Sequence, residues 1–274
     1  MLEKLNVFVF GLPWPTAPLA IASILLLIAV LAFKTGSLTR SGAMGAWVLG
    51  FSVTWALRFE GLLLFSVFFV VSNIEGKIRK RALPQRKDDG PRNISQVMAN
   101  GFMATIGAIW WLYSGSETAI VLFGACVAEA FSDTSAGELG RLSRKGPVSI
   151  ITFRPVQKGV SGGVTLSGTF AGFGASAVIA ILWAVLFKPS NASLNATFIC
   201  LAGFAGCIID SLLGGLVQAV YTDTDGRYSE EPYDDEGRKN TLVRGMPWMD
   251  NDMVNFVSNT FAGIFAMGLH LIFE

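Results

Sequence analysis

Three carboxylates stand close together in AEAFSDTSAGELG, residues 128–140: Glu129, Asp133 four positions on, and Glu138. They follow AIVLFGACVA, a run apolar enough for hydrocarbon. On a helix, Glu129, Asp133, Gly137 and Gly140 recur at about one turn and form one stripe, while Thr134, Glu138 and Arg141 form a second. Acids in or near hydrocarbon face a polar cavity, pair with a cation or hold a metal. A structural pair, Asp133 with Arg141 or Glu129 with Lys158, would satisfy them. A hard divalent cation such as Mg²⁺ explains them better, because it takes oxygen ligands and arrives with phosphates.

The segment that follows suits phosphate. In RPVQKGVSGGVTLSGTFAGFGA, residues 154–175, Arg154 and Lys158 lead into Ser161, Gly162, Gly163, Thr165 and Ser167. Glycines let a backbone approach an anion, a helix N-terminus points free N–H groups at it, and Lys or Arg neutralises its charge. No G-x-x-x-x-G-K-[ST] loop is present, and small residues also let membrane helices pack closely. Spacing alone leaves both readings open.

Two further polar patches share the pattern. CIIDSLLGGLVQ sets Asp210 among apolar residues, with Gln218 two turns on, and GMPWMDNDMVNFVSN carries Asp250, Asp252, Asn255 and Asn259. An acid at a helix start is ordinary dipole complementation. Asn255 and Asn259, deeper in the segment, need interhelical hydrogen bonds or a polar cavity, and Gln96 and Asn100 repeat their spacing. Stripes converging from several segments predict a lined cavity. Cys126, Cys200 and Cys207 lack metal-ligand spacing and read as packing residues, and His270 falls far from the charged loops. The triplets starting at Asn191 and Asn195 match the glycosylation pattern, which is common by chance.

These residues must be positioned by membrane helices. Hydrophobic residues make up 52% of the 274 and charged residues 15%, with mean hydropathy +0.52, too apolar for a soluble domain of this length. A net charge of +1 argues against a nucleic-acid partner. A helix crossing about 30 Å of hydrocarbon needs roughly 20 mostly apolar residues. That ruler predicts an all-α, polytopic bundle of about eight helices (seven to nine) in one integral-membrane domain, 1–274, with segments near 16–33, 41–57, 60–75, 95–113, 117–133, 162–187, 196–220 and 252–273. The break at Arg58 to Gly61 is its least secure point, and the first segment reads as a retained helix, with no basic n-region. Eight crossings leave only Lys4, Arg58 and Lys188 among the basic residues of one side, with three basic loops on the other. The positive-inside rule then puts both termini outside and the large loops in the cytoplasm. The basic loop 76–93 reads as contact with anionic head groups, which leaves Arg79 and Arg86 outside the site.

Taken in order, TRSGAMGAWVLG (39–50), QVMANG (96–101), AEAFSDTSAGELG, KGVSGGVTLSGT (158–169), IIDSLLGG (208–215) and WMDNDMVNFVS (248–258) resemble the integral-membrane family that includes the chloroplast phytyl-phosphate kinase of vitamin E biosynthesis. The similarity spans nearly the whole chain. Asp133, Ala136 and Gly140 also fit the D-x-x-A-x-x-x-G block of the CTP-dependent phytol and dolichol kinases, and Lys158 with Gly162 fits their K-x-x-x-G block. The loop 221–247 departs from the family, lacking the cysteines and histidine that members often carry there.

The resemblance implies phosphoryl transfer from a nucleoside triphosphate, CTP or ATP, with Mg²⁺, to a prenyl monophosphate such as phytyl or geranylgeranyl phosphate. Asp133, Glu138 and Lys158 are then the candidate catalytic residues; Glu129, Asp133, Asp210 and Asp250 the candidate metal ligands; and Arg154, Ser161, Gly162, Gly163, Asn100 and Asn255 the nucleotide-binding residues. An ionised phosphate acceptor requires no strong base, whereas a free prenol would recruit Asp133 or Glu138. The partners implied are the prenyl phosphate or prenol and membrane lipid, no nucleic acid, and a homodimer is compatible. A transporter using the same acids for an ion path is the alternative of a different class. A prenyl or CDP-alcohol transferase lacks its D-x-x-x-D or D-G-x-x-A-R block here.

Overall fold

The computed structural model describes residues 1–83, 90–223, 226, 228–234 and 236–273. Eight helices are assigned: α1 (Leu2–Phe10), α2 (Thr16–Lys34), α3 (Arg40–Ala82), α4 (Ile94–Ser114), α5 (Glu117–Arg141), α6 (Leu166–Phe187), α7 (Ala192–Leu216) and α8 (Asn251–Phe273). Six of them, α2, α3, α5, α6, α7 and α8, are long and apolar enough to cross a membrane. The all-α polytopic class read from hydropathy therefore holds.

Two expected segments, 41–57 and 60–75, belong to the single 43-residue α3, which turns back on itself at Arg58 (φ 56, ψ −155). A Cβ placed on Gly61 would lie 2.9 Å from Val53 Cγ1, and one on Gly101 of α4 would lie within 4 Å of both Leu49 and Phe65. Residues 49 and 65 of a straight helix would be about 24 Å apart. The two halves of α3 are thus antiparallel, and each has its own run across the bundle. The unanticipated α1 packs on the turn, where Asn6 Nδ2 donates to both Glu60 oxygens at 2.8 Å and Phe59 N–H donates to Asn6 Oδ1 at 3.3 Å.

Local chemistry sets the ends of these helices. Thr39 and Thr165 cap α3 and α6 by accepting from the N–H of Gly42 and Gly168, Asn93 and Gln96 form a capping box on α4, and Gly115 (φ 63) ends it. The helix α5 is central: 83% of its most apolar stretch is buried, against 28–33% for the other five candidate spans. Small residues admit it. Gly168 of α6 lies so close to α5 that a Cβ would sit 2.7 Å from Ala136 O, and Gly124 accommodates Trp183, whose indole N–H donates to Ile120 O at 2.8 Å.

Boundaries shift where polar sequence interrupts the apolar ruler. The helix α5 runs on to Arg141, carrying the whole acidic triplet in helical form, α6 begins at Leu166, and α7 ends at Leu216. The segments thereby released fold as short strands: β1 (Val148–Ser149) pairs antiparallel with β2 (Gly163–Val164), and β3 (Val220–Thr222) lies between β4 (Tyr228–Ser229) and β5 (Thr241–Arg244). Both strand groups lie at the end of the bundle that bears the acidic triplet.

Candidate active site

A cavity of about 1130 Å³ opens at that end, lined from α3, α4, α5, α7, α8 and the segments that carry the strands. It exceeds the ~300–1,000 Å³ usual for one small ligand, so it has room for two reactants. On its inner wall Asp133 of α5 and Asp210 of α7 lie near enough for their charges to act on each other. Ser258 Oγ of α8 lies 3.1 Å from Asp210 Oδ2 and 2.8 Å from Glu129 Oε1, and Asn259 Nδ2 donates to Glu129 Oε2 at 2.7 Å. Two neighbouring carboxylates must share a proton or a cation. Three helices therefore converge on a site that calls for positive charge.

Opposite the acids runs the glycine segment. Gly162 has φ +80, and a Cβ there would meet Gly215 Cα of α7 at 2.5 Å, so the loop lies directly on the α7 backbone. Arg244 of β5 fastens it, its Nη2 donating to Ser161 O at 3.2 Å and Gly214 O at 3.0 Å, and Ser161 Oγ donates to Glu230. Lys158 Nζ donates to Ser143 O at 2.7 Å, which ties the start of the loop to the end of α5. The loop 221–247 thus has a structural role in the described residues, bracing the glycine segment from above.

The third wall comes from α3 and residues 90–93. Arg79, only 3% exposed, donates through Nε to Glu138 Oε2 at 2.8 Å. Ser135 Oγ donates to both Glu75 oxygens, at 3.1 and 2.9 Å. The Arg92 guanidinium stands 5.8 Å above the Phe68 ring; burial lowers its pKa, and the charges of Glu138 and Glu75 oppose that shift. This wall corrects the lipid-contact reading of loop 76–93, since Arg79 is buried and lines the cavity. Arg86 lies outside the described residues.

Comparison with known proteins bears on what such a site serves. The model of the integral membrane protein family DUF92 matches residues 23–263. The chain belongs to that family. Its relatives include a membrane protein of Methanocaldococcus jannaschii, 32% identical over 71% of this chain and 82% of the relative. Protein PGR of Arabidopsis thaliana is 32% identical over 85% of this chain and 88% of its own length. The chloroplastic protein VTE6 of Arabidopsis thaliana is 25% identical over 84% of this chain and 64% of its own. No solved structure matches significantly.

Within this DUF92 chain, Asp133, Glu138, Lys158, Ser161, Gly162, Gly163, Asn100, Asn255, Asp210 and Asp250 all line the one cavity. Arg154 does not: it is exposed, and among the described residues it is engaged through its carbonyl, by Ser149 N–H. Glu129 lies behind the cavity at 1% exposure with both oxygens engaged, so it is placed to support Asp133 and Asp210 and not to reach a ligand itself. Asp250 accepts from Met253 N–H at 2.8 Å and so caps α8 at the rim. Glu138 is held in its ion pair with Arg79, which makes it a poor candidate for a free base. Of the two structural pairs weighed from the sequence, the Arg141 charge does act on Asp133, whereas Glu129 has Ser258 and Asn259 as its partners among the described residues instead of Lys158.

Among the described residues no three carboxylate, histidine or cysteine side chains form a ready-made metal cluster. Mg²⁺ does not ask for one, since it is usually held by one or two carboxylates together with substrate phosphates. Asp133 and Asp210, near each other and open to a cavity, fit that donor set. The cysteines are free, with Cys126 and Cys207 buried, and His270 bonds to Asn195 through Nδ1 at 2.9 Å, remote from the cavity lining.

Proposed function

We propose that this protein is a membrane-embedded kinase that transfers the terminal phosphoryl group of a nucleoside triphosphate to a prenyl monophosphate, giving the diphosphate. The observation that carries this reading is the meeting of the Asp133–Asp210 pair and the Lys158–Gly163 loop in one cavity large enough for two reactants. The family resemblance carried by the same segments, and the kinship with chloroplastic VTE6, point the same way.

Phosphoryl transfer asks for alignment and charge neutralisation more than for covalent help. Asp133 and Asp210 would hold Mg²⁺, which when bound neutralises and orients the triphosphate. Residues 161–165 line the cavity just before α6, whose N-terminal end would favour phosphate oxygens, and Lys158 would add charge. As the acceptor oxygen bonds to the terminal phosphorus, the bond from that phosphorus to the bridging oxygen breaks and the nucleoside diphosphate leaves. An ionised phosphate acceptor has no proton to give up, so no base is required. The concentration of Lys and Arg in the loops at this end supports a cytoplasmic site under the positive-inside rule, with both termini on the other side.

The test is phosphate transfer by the purified protein in detergent with Mg²⁺, pairing CTP and ATP with phytol, phytyl phosphate, geranylgeranyl phosphate and farnesyl phosphate. A prenyl diphosphate formed by the wild type and lost in Asp133→Ala is the expected result. Product from phytol alone would reassign the acceptor to the free alcohol. Absence of product from a folded sample with every pair would overturn the kinase and favour transport, measured as flux in proteoliposomes.

A further inference from the structure

The charges that line the cavity are segregated. Those contributed by α3 and residues 90–93 are all cationic, Lys77, Arg79, Lys80 and Arg92, while the described lining residues of α7, α8 and the segment between them carry acids and no Lys or Arg. If the acids serve a metal-bound nucleotide, the cationic wall is left for a second anion.

A second observation marks that wall as a ligand site. Ser72 lines the cavity at 1% exposure, yet among the described residues its hydroxyl has no hydrogen-bond partner. A buried hydroxyl left unpaired is costly, and the cost disappears if a ligand accepts from it. Ser72, Gly76 and Arg79 are four and three residues apart and share one face of α3. Gly76 keeps that face low between the two polar side chains, since an added Cβ would meet nothing nearer than the Glu138 carboxylate at 3.7 Å. Arg92 lies against the same helix, oriented by its place over Phe68. Guanidinium groups held in a fixed plane suit the paired oxygens of a phosphate better than lysines do.

We propose that this wall, with Arg79, Arg92 and Ser72 as its donors, is the subsite for the phosphate monoester of the lipid acceptor. Glu138 is then a positioning residue: its carboxylate fixes the Arg79 guanidinium and takes no proton from the substrate. The assignment rests on the kinase reading for the word acceptor, but the anion site itself does not. The same chemistry would also suit the head group of a phosphatidic acid in the surrounding membrane, so the two sources must be separated by experiment.

The experiment is equilibrium binding of radiolabelled farnesyl phosphate to the purified full chain in detergent, without nucleotide or Mg²⁺, with farnesol, inorganic phosphate and phosphatidic acid as competitors. Arg92→Gln should weaken binding roughly 10- to 100-fold, the loss expected for a charge-assisted contact. Ser72→Ala, which only removes a hydroxyl and disturbs folding least, should weaken it by several-fold, and direct binding of labelled farnesol should not change in either variant. Unchanged farnesyl phosphate binding in both variants would overturn the subsite, as would no binding by the wild type. Phosphatidic acid competing as well as farnesyl phosphate would overturn the acceptor assignment and leave a head-group site. If binding responds as expected while the wild type phosphorylates nothing, the anion site stands and the kinase reading fails. If transfer proceeds and binding ignores both variants, the kinase stands and the subsite fails.

Discussion

Asp210→Asn separates a metal site from a merely structural pair, because the two predict opposite signs for stability. The substitution keeps the shape of the side chain and an oxygen that can accept from Ser258 Oγ, 3.1 Å away, but removes a charge that acts on Asp133. Two ionised carboxylates about 4 Å apart repel by about 4 kcal/mol at an effective dielectric of about 20. A shared proton relieves most of that, so the net gain on neutralising one partner is on the order of 1–2 kcal/mol, within the usual range for a single substitution. At about 2–4 °C per kcal/mol, the variant should melt several degrees higher than the wild type in EDTA. Mg²⁺ should reverse the order: at a hundredfold excess over its Kd it stabilises a binding-competent protein by about 2.7 kcal/mol, and the variant should lose most of that response. Transfer activity should fall by roughly 10²–10³, the scale for removing one group that stabilises developing charge. Thermal unfolding in detergent, with and without Mg²⁺, and initial rates measured in parallel would decide. A variant that melts lower than the wild type in EDTA, or a wild type indifferent to Mg²⁺ beside a fully active variant, would refute the reasoning.

Three further outcomes follow from the geometry. Gly162→Ala must place a Cβ 2.5 Å from Gly215 Cα at φ +80, so left-handed strain and overpacking together should cost about 2–5 kcal/mol, read as a lower melting temperature and loss of transfer. Glu138→Gln should raise the acceptor KM by about tenfold, the scale of one weakened charge-assisted bond, with kcat largely kept and Glu138→Asp restoring part of the loss; a collapse of kcat alone would make Glu138 a base instead. Lys158→Met should raise the KM for the nucleotide roughly tenfold and leave that for the acceptor unchanged, and equal effects on both would show that its bond to Ser143 O merely holds the loop.

How much of this was legible in the sequence depended on the range over which each signal acts. Hydropathy located the long helices and the break at Arg58, because burial in hydrocarbon is written into about 20 contiguous residues, but α5 and α3 run on to Arg141 and Ala82, past their expected ends at 133 and 75, and α4 is not among the six helices apolar enough to cross. It missed α1, a nine-residue element held by Asn6 contacts with residues 59 and 60, and it missed five strands of two to four residues that depend on pairing across long loops. The acids of α5 and α7 stood out one by one, as any charge in an apolar run does. That Asp133 would come near Asp210 while Glu129 turned to Ser258 and Asn259 depends on how three helices pack, and one-turn spacing cannot distinguish these cases. Arg79 was misread for a related reason. A basic cluster at a helix end is usual for topology alone, and the partner that buries Arg79 is Glu138, fifty-nine residues away. The local signal that was available was the polar face Ser72, Glu75, Gly76 and Arg79 in an otherwise apolar segment.

The glycines show why phosphate binding and close packing were inseparable on spacing alone: here one arrangement serves both. Gly168 lets α6 cross α5 at backbone distance, and Gly162 and Gly215 let the loop rest on α7. Those approaches draw the N-terminus of α6 toward the wall that holds Asp133 and Asp210, and any side chain larger than hydrogen at these crossings would push the N–H groups and the carboxylates apart. An ordinary soluble kinase can bring such groups together on loops, but in a bundle the walls of the site are the helices themselves, and their separation is fixed by the smallest residues between them. Glycine substitutions at 162 and 168 should therefore impair activity in proportion to the displacement they force, even where the chain still folds.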